Sequence, residues 1–365
     1  MDSDQIPDEN ATPRTTQPLR FHGSGSEYFG IWIVNLALTI LTAGIFYAWA
    51  QVRSRRYFYT STTLDGQSFN YTARGFPVFI GYLIIFTGAM IYNALAVAES
   101  FFIFPVILIF FVLWPWMYYK AIRFRFHNST YRGIRFRFEG TVGKSYVINL
   151  AWMLLVIVTG GLLYPFVEYR RKQYLINNLN FGNTPFHFKG ELGPFFVYYL
   201  IAYACIIAIY IGLFVVIMVV MGISVAASGG EPKLDPDNLS PMLIVGMVVG
   251  YLLILLLGVA TQQFLTVKVM NYCLNQTEME NGLIIKADLS FWELLKIRLS
   301  NIFLIMITLG LYTPWARVKR HQYVVDHIMI HYDQGSLEQV IAGSAIEQNA
   351  IGDAASDFFD FDIGL

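Results

Sequence analysis

Four uninterrupted apolar runs, over residues 76–98, 101–117, 195–225 and 242–267, dominate the pattern of hydrophobic and polar positions. Each is at or near the ~20 residues that carry a helix across the hydrocarbon core, so they predict four membrane spans. Trp114, Trp116, Tyr118 and Tyr119 close the second run, and Tyr198 and Tyr199 open the third, where interfacial aromatic belts belong.

Three further apolar segments, near 31–49, 146–166 and 300–315, are each interrupted by a Thr/Gly pair and end on an aromatic and basic cluster. They align without gaps. Thr42, Gly44, Tyr47, Trp49, Arg53 and Tyr57 match Thr159, Gly161, Tyr164, Phe166, Arg170 and Tyr174, and the same register gives Thr308, Gly310, Thr313, Trp315, Lys319 and Tyr323. A spacing held in three places marks an internal repeat. Gly44, Gly161 and Gly310 are candidate helix breaks, and the segments read as short re-entrant or interfacial helices.

The tail of this unit recurs behind two of the long runs, where Trp116 leads to Lys120 and Phe124, and Lys268 leads to Tyr272. All five tails end in turn dipeptides or near equivalents: Asp65-Gly66, Arg132-Gly133, Gly182-Asn183, Asn281-Gly282 and Gln334-Gly335. Alternating apolar residues beside them, such as Phe136 and Phe138 or Phe186 and Phe188, predict small β-hairpins. The expected fold is mainly α, a multi-pass transmembrane helical protein with internal repeats, short re-entrant or interfacial helices and small cytosolic hairpins. Residues 1–18 read as a disordered tail, 19–340 as the transmembrane domain with repeat copies at about 19–75, 136–190 and 284–332, and 341–365 as an acidic tail.

Composition agrees with a membrane protein: 56% of the 365 residues are hydrophobic, 14% are charged, and the mean hydropathy is +0.50. Balanced charges, 25 basic and 25 acidic, point to no nucleic acid. Their placement carries more. With four spans and both termini cytosolic, every basic residue except Lys233 falls inside, as the positive-inside bias requires. Seven crossings would scatter them to both sides, and a fifth crossing by the first copy stays open. Two cysteines, Cys205 and Cys273, define no disulfide framework.

The basic clusters Arg53, Arg55, Arg56, then Arg170, Arg171, Lys172, then Lys319, Arg320 are candidate contacts for anionic lipid headgroups or another anion. Their plainer role is to fix topology. Glu27, Glu99, Glu168 and Glu293 sit at segment ends within reach of water or headgroups, where Glu168 has Arg171 and Lys172 as local partners. His327, His331 and Asp333 would share a strand face, which a solvated surface explains more simply than a metal site. No phosphate loop, nucleophile elbow, zinc-protease or dinucleotide signature is present, so no enzyme, metal or cofactor is expected.

The block from Phe21-His-Gly-Ser-Gly through Tyr47-Ala-Trp49 and Arg56-Tyr57 to Asp65-Gly66 resembles the YjgN-like family of bacterial inner-membrane proteins, over about residues 19–343. The resemblance implies a location in the bacterial cytoplasmic (inner) membrane and supplies no substrate, cofactor or catalytic residue. Two functions fit the residues: a transporter or channel for a small solute, suggested by repeated broken helices, and a non-enzymatic scaffold contacting anionic lipid or a cytosolic partner.

Overall fold

A computed structural model describes residues 14–98, 101–227, 241–333, 335 and 338–343. Glu99, the loop 228–240, Gln334 and the residues beyond 343 lie outside the described residues, as do the first 13.

One strand–helix–helix–strand pattern is used five times. The first repeat is β1 (Arg14–Pro18) with β2 (Arg20–Phe21), α1 (Gly25–Leu41), α2 (Tyr47–Thr60) and β3 (Thr62–Leu64). The second is β4 (Gln67–Tyr71), α3 (Gly75–Val97), α4 (Ile103–His127) and β5 (Ser129–Tyr131). In the third, β6 (Ile134–Phe138) leads to α5 (Val142–Val158), which holds a π turn at Val147–Ala151, then α6 (Tyr164–Asn177) and β7 (Leu179–Phe181). The fourth is β8 (Thr184–Phe188), α7 (Leu192–Ala227), α8 (Pro241–Asn275) and β9 (Thr277–Met279). The fifth is β10 (Ile284–Ala287), α9 (Phe291–Ile307), α10 (Thr313–Asp326) and β11 (Ile328–Asp333).

Helix length alternates between repeats. In the odd repeats α1 and α9 have 17 residues and α2, α6 and α10 have 14. At ~1.5 Å per residue such helices reach roughly 25 Å at most, short of the ~30 Å hydrocarbon core. In the even repeats α3, α4, α7 and α8 are long and apolar enough to cross a membrane, four such helices among the described residues.

The chain divides into two compact bodies, one of Met1–Gly190, Asn271–Leu289 and Ile297–Leu365, the other of Glu191–Met270 and Ser290–Lys296. The first contains every strand, joined in one antiparallel sheet of 11 in the order β1-β11-β10-β9-β8-β7-β6-β5-β4-β3-β2. Its two end strands are consecutive in sequence, separated by Leu19 alone, whose N–H donates to the Ile328 carbonyl at 3.0 Å. The sheet therefore closes to a near-barrel, with β1 pairing Arg14 to Asp333 and β2 pairing Arg20 to Thr63. After closure the unpaired edges among the described residues are the outer sides of β1 and β2, five and two residues long.

Apolar side chains from many of the strands gather together. Leu64, Tyr131, Ile134, Phe181, Phe186, Met279, Leu283, Ile330 and Tyr332 form one buried cluster, joined by Val340 from a helical turn over residues 338–343. These residues pack as a core on the sheet. The tight turns follow from their residues: Asp65 and Gly66 take φ of 48° and 71°, Arg132 and Gly133 take 48° and 81°. Positive φ at both central positions matches the right-handed strand twist. Arg132 also bonds Asp65 across neighbouring turns at 2.7 Å.

Several expectations change. The hairpins are not separate small units, because each also pairs sideways with its neighbours. The N-terminal tail is not wholly disordered, since Arg14–Pro18 forms β1. The C-terminal tail begins later than residue 341, because Ile341 packs on the barrel core beside Val340. Three repeat copies become five. The fifth tail, ending at Gln334-Gly335, has no downstream strand among the described residues, and β11 takes β1 as partner instead.

Candidate membrane-facing site

Where α1 turns into α2, Thr42 caps the first helix, Gly44 sits in the turn and Phe46 precedes the second. Gly44 has φ of 92° and Ala43 of 49°, so the chain reverses in the left-handed region that glycine tolerates best. Gly161 at 92° and Gly310 at 94° repeat this between α5 and α6 and between α9 and α10. Each is a helical-hairpin turn.

The amides of these turns are paired internally. Gly44 N–H donates to the Thr39 carbonyl at 2.7 Å, Gly161 to Val156 at 2.8 Å and Gly310 to Ile305 at 2.8 Å, the reach of a Schellman closure. The threonine hydroxyl oxygen takes one more amide, from Phe46 to Thr42 and from Tyr312 to Thr308, both at 3.0 Å. Every N–H from Thr42 to Tyr47, and every one from Thr308 to Thr313, thus has a partner. The tips are apolar and bare: Leu41 is 80% exposed, Val158 81% and Leu309 93%.

Below the turns the helices are clipped together. Buried Asn35 donates through Nδ2 to the Ala50 carbonyl at 3.4 Å, and Asn301 to the Ala316 carbonyl at 3.2 Å. Each stands seven positions before its Thr, a regularity the repeat alignment carries in the sequence. In the third repeat Ser145 donates to the Pro115 carbonyl at 2.7 Å, and Asn149 leans back on Ser145 at 3.1 Å.

The eight candidate basic residues divide into those held by the protein and those left outward. Arg56 donates to the carbonyls of Tyr71 at 3.1 Å and Ala73 at 3.3 Å, while Arg55 donates to the Tyr71 hydroxyl at 3.3 Å. Lys172 pairs with Glu168 at 3.3 Å. Burial works to lower Lys172, but Glu168, Cys273 and Tyr118 together outweigh it and the net shift is upward. Arg171 is half-buried, and its Nε meets no acceptor. Arg53, Arg170, Lys319 and Arg320 are exposed; Arg170 lies over the Phe166 ring at 5.2 Å and bonds Gln173 at 3.0 Å. Arg53, Arg170 and Lys319 share one register, four residues after Trp49, Phe166 and Trp315. Lys120 and Lys268 occupy it in α4 and α8, after Trp116 and Phe264.

Tyr57 marks the polar end. It donates to the Ser24 carbonyl at 2.9 Å, and the Ser24 amide donates to it at 2.8 Å. Burial and the adjacent Glu27 push its pKa up to about 12. Ser24 and Glu27 form a capping box that starts α1. His331 meets the Thr16 hydroxyl at 2.8 Å, and His327 meets the Tyr323 carbonyl at 2.7 Å, so each serves the strand and helix around it.

Apolar helices of spanning length beside short apolar hairpins, with cations where they leave the apolar zone, define a helical membrane protein. The chain belongs to the YjgN-like family described as "Bacterial protein of unknown function (DUF898)", whose match covers residues 16–358. It is 31% identical over 146 residues to "Inner membrane protein YjgN" of Salmonella typhimurium (strain LT2), covering 38% of this chain and 36% of that relative. To "Inner membrane protein YjgN" of Escherichia coli (strain K12) it is 44% identical over 63 residues, 17% of this chain and 16% of the relative. The matches thus span about a third or less of these curated relatives. No solved structure matches.

Proposed function

We propose that this protein is a non-enzymatic scaffold of the bacterial inner membrane, with both termini and the barrel in the cytosol. The even repeats cross the bilayer, four spans in all, and the odd repeats dip into it and return. The register of Arg53, Arg170, Lys268 and Lys319, all exposed, together with half-buried Lys120, meets anionic headgroups.

The observation that carries this reading is the hairpin turn, apolar, exposed and internally hydrogen-bonded at its amides. In hydrocarbon an unpaired backbone amide is heavily penalised, and the turns of the first and fifth repeats have met that demand themselves. The same feature weighs against the transport alternative. A solute site built on broken helices uses free helix-end groups, and in the first and fifth repeats those amides are already bonded.

Reporter fusions after Arg74, Lys189 and Lys286 test the topology, and all three are expected to report cytosol. A periplasmic signal at Lys189 would overturn it. Headgroup contact is tested by flotation of the detergent-free protein with vesicles: exchanging Arg53, Arg170 and Lys319 for Gln should lower anionic-lipid enrichment several-fold, and an unchanged enrichment would remove that half of the reading.

A further inference from the structure

Helices α7 and α8 of the second body leave a slot of about 590 Å³ between them. At one end a β-carbon on Gly250 would stand 3.0 Å from Leu213, and at the other Phe264 and Phe291 meet edge to face, centroids 6.2 Å apart. Ala202, Cys205, Ala208 and Gly212 line the α7 side. Small residues on a membrane helix ordinarily let a neighbouring backbone approach. Here they face space. The one hydroxyl in the lining, on Thr261, donates to the Leu257 carbonyl at 2.9 Å.

An apolar void costs stability in proportion to its volume, and water gains nothing where it finds no polar partners. Within a bilayer the available filler is hydrocarbon. Lys268 follows Phe264 by one turn and Thr261 by seven residues, on the face of α8 that lines the slot, and it is exposed. Its charge complements a phosphate at the slot's end.

We propose that the α7–α8 slot holds one acyl chain of an anionic phospholipid whose phosphate meets Lys268. The headgroup half rests on the reading of the basic register given above, and the chain half stands without it.

The full chain, purified in mild detergent, is weighed by native mass spectrometry after delipidation and re-exposure to phosphatidylglycerol or phosphatidylethanolamine. One phospholipid per chain is expected, with phosphatidylglycerol retained at least five-fold better. The double substitution Ala208→Leu with Gly212→Leu should abolish retention, and Lys268→Gln should keep the lipid but lose the preference. Equal retention by the slot-filled and parent proteins, or lipid-free dimers in place of the lipid complex, overturns the slot. Retention without headgroup preference in the parent overturns the Lys268 contact and leaves the slot standing. Cys205, exposed on the slot wall, gives a readout free of folding effects. N-ethylmaleimide should label it several-fold more slowly in the lipid-loaded protein, and equal rates would count against occupancy.

Discussion

Trp49 lies so close to Gly75 that a β-carbon on the glycine would stand 2.3 Å from the indole Cδ1. Trp315 and Gly25 repeat the relationship at 2.1 Å. In each pair the aromatic belongs to the returning helix of one repeat and the glycine to the first turn of the next repeat's outgoing helix. Because Trp315 is in the fifth repeat and Gly25 in the first, the second pair closes the cycle that β1 and β2 close in the sheet.

Gly75→Ala and Gly25→Ala should each destabilise the protein by about 1–3 kcal/mol, the usual range for forcing a group into a filled site. Alanine elsewhere in a helix gains up to ~1 kcal/mol over glycine, so the packing term decides the sign. Thermal melting in detergent measures this. Pairing Gly75→Ala with Trp49→Leu should return part of the loss, and strict additivity would mean that the two residues do not meet.

Thr42→Val and Thr308→Val keep the side-chain shape but remove the oxygen that accepts from Phe46 and Tyr312. An amide orphaned at an apolar tip costs about 1–3 kcal/mol. Each valine variant should melt below its serine counterpart, which retains the acceptor. Indistinguishable melting of Thr42→Val and Thr42→Ser would mean that water reaches the turn.

Long apolar runs are legible in the sequence because hydrophobic length is a local property, and so are the four tight strand turns, whose Gly and Asp residues tolerate positive φ. The repeated Thr-x-Gly is equally visible, yet it reads alike as a break in a spanning helix or as a hairpin turn. What separates the two is the bonding of Gly44 to Thr39 and of Phe46 to Thr42, which only coordinates reveal. Sheet closure was out of reach for another reason. Thr16 faces His331 across 315 positions, and strands of two to six residues carry too little pattern to choose a distant partner. At the site, the repeat put eight basic residues on equal footing, whereas Arg56 and Lys172 are taken up by nearby carbonyls and Glu168.

Strand β1 covers the outer edge of β11. A chain beginning at Leu19 loses that cover while β2 still pairs with β3. An uncovered edge recruits other strands, so the truncated protein should form dimers or larger species at concentrations where the full chain does not. Light scattering on the size-exclusion peak checks this, and a monodisperse truncated protein of the parent's size would refute it.

His321 is packed where the first and fifth repeats meet. Its ring lies edge-on to Phe21 at 4.9 Å and to Phe58 at 4.8 Å, and its Nε2 is 3.4 Å from the Thr62 hydroxyl. Burial lowers its pKa from 6.5 to about 4, against an opposing pull from Asp326. Between those values the unfolded chain binds the proton and the folded one does not, so stability rises with pH across this window. The contribution of neutral His321 is full above about pH 6.5 and is lost as pH falls toward 4, at most roughly 3–4 kcal/mol at ~1.4 kcal/mol per unit. Carboxylates titrate in the same range, so the informative quantity is the difference between the parent and His321→Phe, which carries no proton. Melting temperatures of the two should diverge in slope between pH 6.5 and 4, with the parent falling more steeply. Parallel slopes would mean that the imidazole is hydrated and the seam between β2 and α10 looser than its ring contacts imply.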